Sequence, residues 1–194
     1  MNALRDDLRL IYDWIPAGSR VLDLGCGRGE LLSALVRDKQ CSGYGVEIDT
    51  EGVLASVAAG INVIQADLEQ GLQDFDDNSF DVIVLSQTIQ AMQNTETILR
   101  DLTRVAREAV VSFPNFGYWR NRLQITLGGH MPVSERMPYQ WYNTPNIHWC
   151  TLHDFDKLCA QNNIRILERA VMTAGRRVET LPNLLGSLAF YRVG

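Results

Sequence analysis

Lysine is almost missing from this chain. Lys39 and Lys157 are the only two among 18 basic residues. Long apolar runs are missing too. No stretch reaches the length needed to cross a bilayer as a helix, and Met1 to Arg9 is charged where a signal peptide would carry its apolar core. The expectation is therefore a cytoplasmic protein with no membrane partner. The four cysteines, Cys26, Cys41, Cys150 and Cys159, form no Cys-x-x-Cys pair. The three histidines, His130, His148 and His153, do not stand at zinc-site spacing with them. Neither a disulfide framework nor a metal site is expected, and the cysteines read as free thiols. The net charge of −5 does not favour nucleic acid as a partner.

What remains is an ordinary globular composition, 46% apolar over 194 residues, which predicts a single domain over 1–194. Short apolar strands alternate with amphipathic helices, the pattern of an α/β domain with a mainly parallel sheet. Leu4 to Trp14 reads as a first helix, ended by Pro16-Ala17-Gly18. Strands are expected at Arg20–Leu24, Gly43–Ile48, Asn62–Ala66, Phe80–Ser86 and Ala109–Phe113. Between them fall helices from Gly29 to Arg37, from a Thr50 cap to Ala59, and from an Asn94 or Thr95 cap through Ile98, Leu99, Leu102 and Val105. The rhythm then fails. Residues 115–150 are rich in Gly, Pro and aromatics and show no period. They hold three of the four tryptophans, and Arg120, Arg122 and Arg136 against the single acid Glu135. Arginine and tryptophan together favour a binding surface. Order returns at Thr151, where Thr-x-x-Asp resembles a capping box. Strands follow at Ile164–Met172 and Ser187–Arg192.

The richest motif is Val21-Leu22-Asp23-Leu24-Gly25-Cys26-Gly27-Arg28-Gly29-Glu30, an apolar strand, a glycine turn and a helix start. Gly25 and Gly27 allow close approach of backbone to a ligand, with Cys26 between them. A dinucleotide fingerprint would place a third glycine where Glu30 stands, and Asp23 with Glu30 would repel a pyrophosphate. The same two acids suit a ligand carrying an ammonium group and a positive sulfur. Glu47 ends the second strand, where a carboxylate can accept from both ribose hydroxyls, with Ile48 beside it. Asp67 follows the third strand and can take an adenine amino group, while the Leu68 N–H reaches a ring nitrogen. Ser86, closing the fourth strand, completes the expected set: Asp23, Gly25, Cys26, Gly27, Glu47, Ile48, Asp67, Leu68 and Ser86.

This constellation resembles the class I S-adenosylmethionine-dependent methyltransferases over about residues 15–115, with a final two-strand hairpin over 160–194. The resemblance implies a Rossmann-like fold: a mainly parallel seven-stranded sheet flanked by helices, its last strand antiparallel. The aromatic insert would precede the last helix, and S-adenosylmethionine or S-adenosylhomocysteine would be the cofactor. Three longer strings, Leu85–Met92, Ser112–Arg122 and Tyr139–His148, resemble the bacterial MetW family of methionine-biosynthesis proteins. That family implies a homoserine O-acyltransferase as partner.

The catalytic residues stay open. Methyl transfer rests largely on alignment of acceptor and sulfonium, and some acceptors need a base. Related methyltransferases carry a histidine or Glu-His pair just after the fourth strand, where this chain has Gln90 and Ala91, neither able to take a proton. Tyr118, Tyr139, Tyr142 and His148 remain as acceptor-orienting or basic candidates, and Arg120 and Arg122 as carboxylate holders. No serine sits in a nucleophile elbow, so acyl chemistry belongs to a separate subunit. Three readings follow: an S-adenosylmethionine-binding accessory subunit, a small-molecule methyltransferase, and, disfavoured by Asp23 and Glu30, a dinucleotide enzyme.

Overall fold

The computed structural model describes residues 4–194, so positions 1–3 of the expected domain lie outside the described residues. The first half follows the sequence pattern closely. α1 spans Asp6–Trp14, β1 Arg20–Leu24, α2 Glu30–Lys39, β2 Ser42–Glu47, α3 Thr50–Ala58 and β3 Val63–Gln65. β4 spans Phe80–Ser86, α4 Thr95–Val105 and β5 Ala106–Pro114. The cap of α3 is Asp49 rather than Thr50. Its Oδ2 accepts from the Gly52 N–H at 2.8 Å, and Thr50 is the first helical residue. A carboxylate at that place reaches the orphan amide of the first turn as well as a hydroxyl does.

The second half holds more structure than periodicity reveals. The insert contains α5, Trp119–Thr126, and ends at α6, Leu152–Gln161. The capping box of α6 is present: Thr151 Oγ1 accepts from Asp154 N, and Asp154 Oδ2 accepts from Thr151 N at 2.9 Å. β6 (Ile166–Thr173), β7 (Arg176–Arg177), α7 (Pro182–Leu185) and β8 (Leu188–Val193) complete the chain. The insert therefore precedes α6, while the last helix is the four-residue α7, which starts on Pro182 at a position that needs no N–H donor.

The eight strands run in the order β3-β2-β1-β4-β5-β8-β6-β7. β1 to β5 are parallel, and β8 lies antiparallel between β5 and β6. The expected seven are all there. The eighth is the two-residue β7, folded back on Met172 and Thr173. Its turn uses Ala174 (φ 49°) and Gly175 (φ 74°), two positive-φ residues as a tight hairpin of this hand requires.

Alternation along the strands divides the core between two faces. Leu22, Leu24, Ile83, Leu85, Val111 and Phe113 meet α4 and α6. Val21, Val82, Val84 and Val110 meet α1 and α2. Covering both faces lets the parallel strands be apolar throughout. On the first face Tyr191 is fully buried, its ring 4.5 Å from Phe155 and 5.7 Å from Phe113. Its hydroxyl donates to Asp156 Oδ1 at 2.8 Å. Among the described residues, no helix is long and apolar enough to cross a membrane.

Ring packing, more than the hydroxyl, makes Tyr191 important. Tyr191→Phe, which keeps the rings and leaves Asp156 paired with Arg169 at 3.0 Å, is expected to cost about 1 kcal/mol. Tyr191→Ala is expected to cost about 3–5 kcal/mol. Urea denaturation of both variants checks the ratio.

Candidate functional site

The strand β1 carries Asp23 into the sheet's carboxyl edge and then breaks into the glycine turn. Gly25, Gly27 and Gly29 hold φ of 72°, 57° and 72°, so the alternate spacing of the glycines is the spacing of left-handed residues in the turn. The neighbouring strand holds that turn in place. Gly25 N and Cys26 N both donate to Val46 O, at 2.8 and 3.1 Å, and Gly27 N donates to Glu47 Oε2 at 2.7 Å. Beneath the turn lies a hollow of about 240 Å³, lined by Asp23, Gly25, Cys26, Gly27 and Ser86. Arg5 and Leu8 from the start of the chain close it, together with Arg28, Glu30 and Leu31. Arg5 and Leu8 escaped the sequence reading, because nothing in a helical period says that α1 packs across the carboxyl edge.

Asp23 is 4% exposed. Burial, and next the charge of Glu47, push its carboxyl group up from 3.8 to about 7. No cation and no hydrogen-bond donor stands among those causes, so the carboxylate is held where a positive group would relieve it. Burial likewise raises the Cys26 thiol to about 11, which makes it a wall rather than a nucleophile.

The other expected residues spread outward along the edge. Asp23 stands opposite Gly45, and Glu47 opposite Gln65, two residues further along. Asp67 lies two residues beyond Gln65. The three acids thus form a staggered row, buried at Asp23, half-buried at Glu47 and exposed at Asp67. Glu47 does not line the hollow. Its Oε1 accepts from Ile48 N and Asp49 N at 2.8 and 2.9 Å, and its Oε2 braces the glycine turn. Asp67 Oδ1 accepts from Glu69 N at 2.9 Å, opening a 3₁₀ turn over Leu68–Gln70. Ile48 is exposed, Leu68 packs partly on the core, and Ser86 Oγ lies 3.2 Å from Ser112 Oγ.

The acceptor candidates do not converge. His148 lines a separate, mainly apolar hollow of about 340 Å³ with Gln90, Phe155 and Leu158, and its Nε2 lies 3.3 Å from Gln93 O. Arg122 Nε donates to Gly117 O at 2.6 Å and so is committed to the insert. Tyr118 is buried, whereas Tyr139 and Tyr142 face solvent. Among the described residues no cluster of His, Cys, Asp and Glu could hold a metal.

A family model described as "Methionine biosynthesis protein MetW" matches residues 5–193. Over 205 aligned residues the chain is 38% identical to the bifunctional methionine biosynthesis protein MetXA/MetW of Rhodopirellula baltica. That match takes in 97% of this chain and 33% of the relative, so the chain spans about a third of its length. A methyltransferase dependent on S-adenosylmethionine from Archaeoglobus fulgidus superposes with a TM-score of 0.72 at 15% identity, covering 96% of this chain and 90% of that one. Another from Mesorhizobium loti gives 0.71 at 15% identity, with 97% of each chain covered. These likenesses establish the Rossmann-like methyltransferase fold.

A raised carboxyl pKa makes the native state bind protons that the unfolded chain has released. Stability contributed by Asp23 is therefore lost as pH rises from the ordinary carboxylate range through about 7. Asp23→Asn removes that loss. The variant is expected to melt at least about 4 °C above the parent near pH 8, and the gap is expected to vanish below about pH 4. Melting curves across pH check both the sign and the window.

Proposed function

The chain belongs to the MetW family of methionine biosynthesis proteins, and from that premise we propose that it binds S-adenosylmethionine in the glycine-floored hollow and serves a homoserine O-acyltransferase as an accessory chain. The observation that carries the cofactor reading is the buried, uncompensated carboxylate of Asp23 on the wall of that hollow. A ligand with an ammonium group and a sulfonium supplies the missing positive charge. Its own carboxylate finds Arg5, which otherwise sits 3.6 Å from Asp7 and 4.0 Å from Glu30. Gly25, Cys26, Gly27 and Ser86 give the methionine portion its floor and walls.

The row of acids then suits the rest of the molecule. Each carboxylate oxygen can accept two hydrogen bonds. Glu47 Oε2 accepts one from Gly27 and keeps room for a ribose hydroxyl without releasing the turn. Asp67 and the Leu68 N–H suit the adenine edge, and exposed Ile48 gives the base an apolar surface. S-adenosylhomocysteine lacks the sulfonium and is expected to bind with less help from Asp23.

The partner reading rests on the Rhodopirellula baltica relative, a bifunctional protein whose name joins MetXA and MetW. In this chain the surface suited to such a partner is the insert. Leu127, Trp141 and Tyr142 are 81%, 71% and 70% exposed. Large apolar side chains displayed together on one segment mark a contact surface. The hollow offers no nucleophile for acyl transfer, which leaves that chemistry to the partner in the cytoplasm. Methyl transfer to a small acceptor is the alternative, and the release of S-adenosylhomocysteine from cell extract separates the two.

Calorimetry is expected to show S-adenosylmethionine binding that weakens as pH falls through about 7 and Asp23 takes up a proton. Asp23→Asn is expected to lose about tenfold or more in affinity at pH 8 and to flatten that profile. NAD in the same cell is expected not to bind.

Co-expression tests the partner role. Homoserine acylation is expected from the pair and not from this chain alone. Replacing Trp141 and Tyr142 together by serine is expected to abolish co-purification while S-adenosylmethionine affinity stays within about twofold.

A further inference from the structure

Apart from the apolar hollow at His148, a second hollow, of about 160 Å³, lies under the insert where α5 meets the end of β6 and the start of β8. It shares no lining residue with the glycine-floored hollow. On the sheet β5 stands between β4, whose Ser86 lines the first, and β8, whose start adjoins the second, at about 5 Å per strand step.

Asn121 lines this second hollow and is 1% exposed. Its Nδ2 donates to the carbonyls of Asn115 and Phe116 at 3.3 and 3.4 Å, which fixes the amide's orientation. Its Oδ1 is left buried with no donor. An orphaned acceptor of this kind costs about 1–3 kcal/mol, and an unmade bond in a native interior calls for a water or a ligand to make it.

The charges on the walls narrow the choice. Arg120, Glu135 and Arg136 all line the hollow. Among the described residues none of the three takes part in an ion pair within 4.0 Å, although most other arginines do. The guanidinium of Arg120 rests over the Trp119 ring at 5.4 Å instead. A simple anion would satisfy the arginines and leave Asn121 Oδ1 and Glu135 unanswered. A simple cation would do the reverse. The volume equals about five waters at ~30 Å³ each, room for a small organic molecule.

We propose that this hollow binds a free α-amino acid. Its carboxylate lies against Arg120 and Arg136, and its ammonium donates to Asn121 Oδ1 and to Glu135. A bidentate guanidinium–carboxylate pair and a charged donor on a buried carbonyl oxygen are the strong forms of each contact. The proposal does not rest on the cofactor reading, since the two hollows are separate.

L-norvaline is a suitable probe, with pentanoate (no ammonium) and butylamine (no carboxylate) as its two halves. Titration calorimetry of the whole chain is expected to show saturable L-norvaline binding, with each half weaker by about tenfold or more. Arg136→Gln and Glu135→Gln, the first half-buried and the second exposed, are expected each to weaken L-norvaline by about tenfold and to leave the circular dichroism spectrum unchanged. The proposal is overturned by any of three results: no saturable binding up to about 50 mM, equal binding of a half-ligand, or affinity unmoved by both substitutions. The first of these assigns the hollow to water alone. A panel of the natural amino acids then reads which side chain the Tyr118 and Thr173 wall prefers.

Discussion

A carboxylate placed inside the sheet without a positive partner is the constraint around which the carboxyl edge is built. Asp23 sits on a central strand, behind the glycine turn and beside Glu47. Two acids in one field resist ionising together. The chain meets this difficulty asymmetrically. Glu47 is anchored by three backbone amides, and one of these bonds, from Gly27 N, pins the turn against β2. Asp23 is left without such support. A buried carboxylate in that condition is costly as structure, and taking up a proton or meeting a positive charge removes the cost. Charge and stability are thus opposed at a single side chain.

The segment that closes β4 ties this edge to the rest of the molecule. Thr88 crowds the glycine turn so tightly that a Cβ on Gly25 would meet its Oγ1 at 2.7 Å. Gln87 Nε2 donates to the buried Asp7 at 2.7 Å and so fastens α1 over the hollow. Gln90 O accepts from both Ile147 N and His148 N, at 2.8 and 2.9 Å, and fastens the far end of the insert. The near end is rooted by Asn115, fully buried, whose Nδ2 donates to Asn183 O and Gly186 O while its Oδ1 accepts from Gly117 N. Glycine turn, first helix and insert therefore meet within a few residues. Movement at one has a short covalent and hydrogen-bonded route to the others, the physical requirement for coupling between sites.

How much of this was legible beforehand depended on how local the cause was. The strands and helices through β5 follow from period and punctuation, since each buries a face set by its own side-chain spacing. The glycine turn was legible for the same reason: φ is a property of single residues. Asp23 and Ser86 line the hollow because each stands at the end of a strand. Arg5 was not legible, because its role comes from α1 docking onto residues some eighty positions away, through Asp7 and Gln87. Glu47 and Asp67 were expected in one hollow with Asp23. The stagger of successive strands spreads them instead, and spare amides near Glu47 draw its carboxylate inward. Asn115 and Asn121 carried no readable signal, as an asparagine's partners are chosen by the tertiary fold. The bond from Arg122 Nε to Gly117 O was hidden for the same reason.

The small strand β7 has an effect out of proportion to its size. It covers the outer margin of β6 only at Met172 and Thr173, leaving the start of β6 as the sheet's open border. That border is studded with locked charges: Glu168 pairs with Arg177 and Arg192, and Arg169 with Asp156. Another polypeptide laying a strand there would have to disrupt these pairs before gaining backbone bonds, a common defence against edge-to-edge aggregation. Assembly by sheet extension is thereby discouraged on this side.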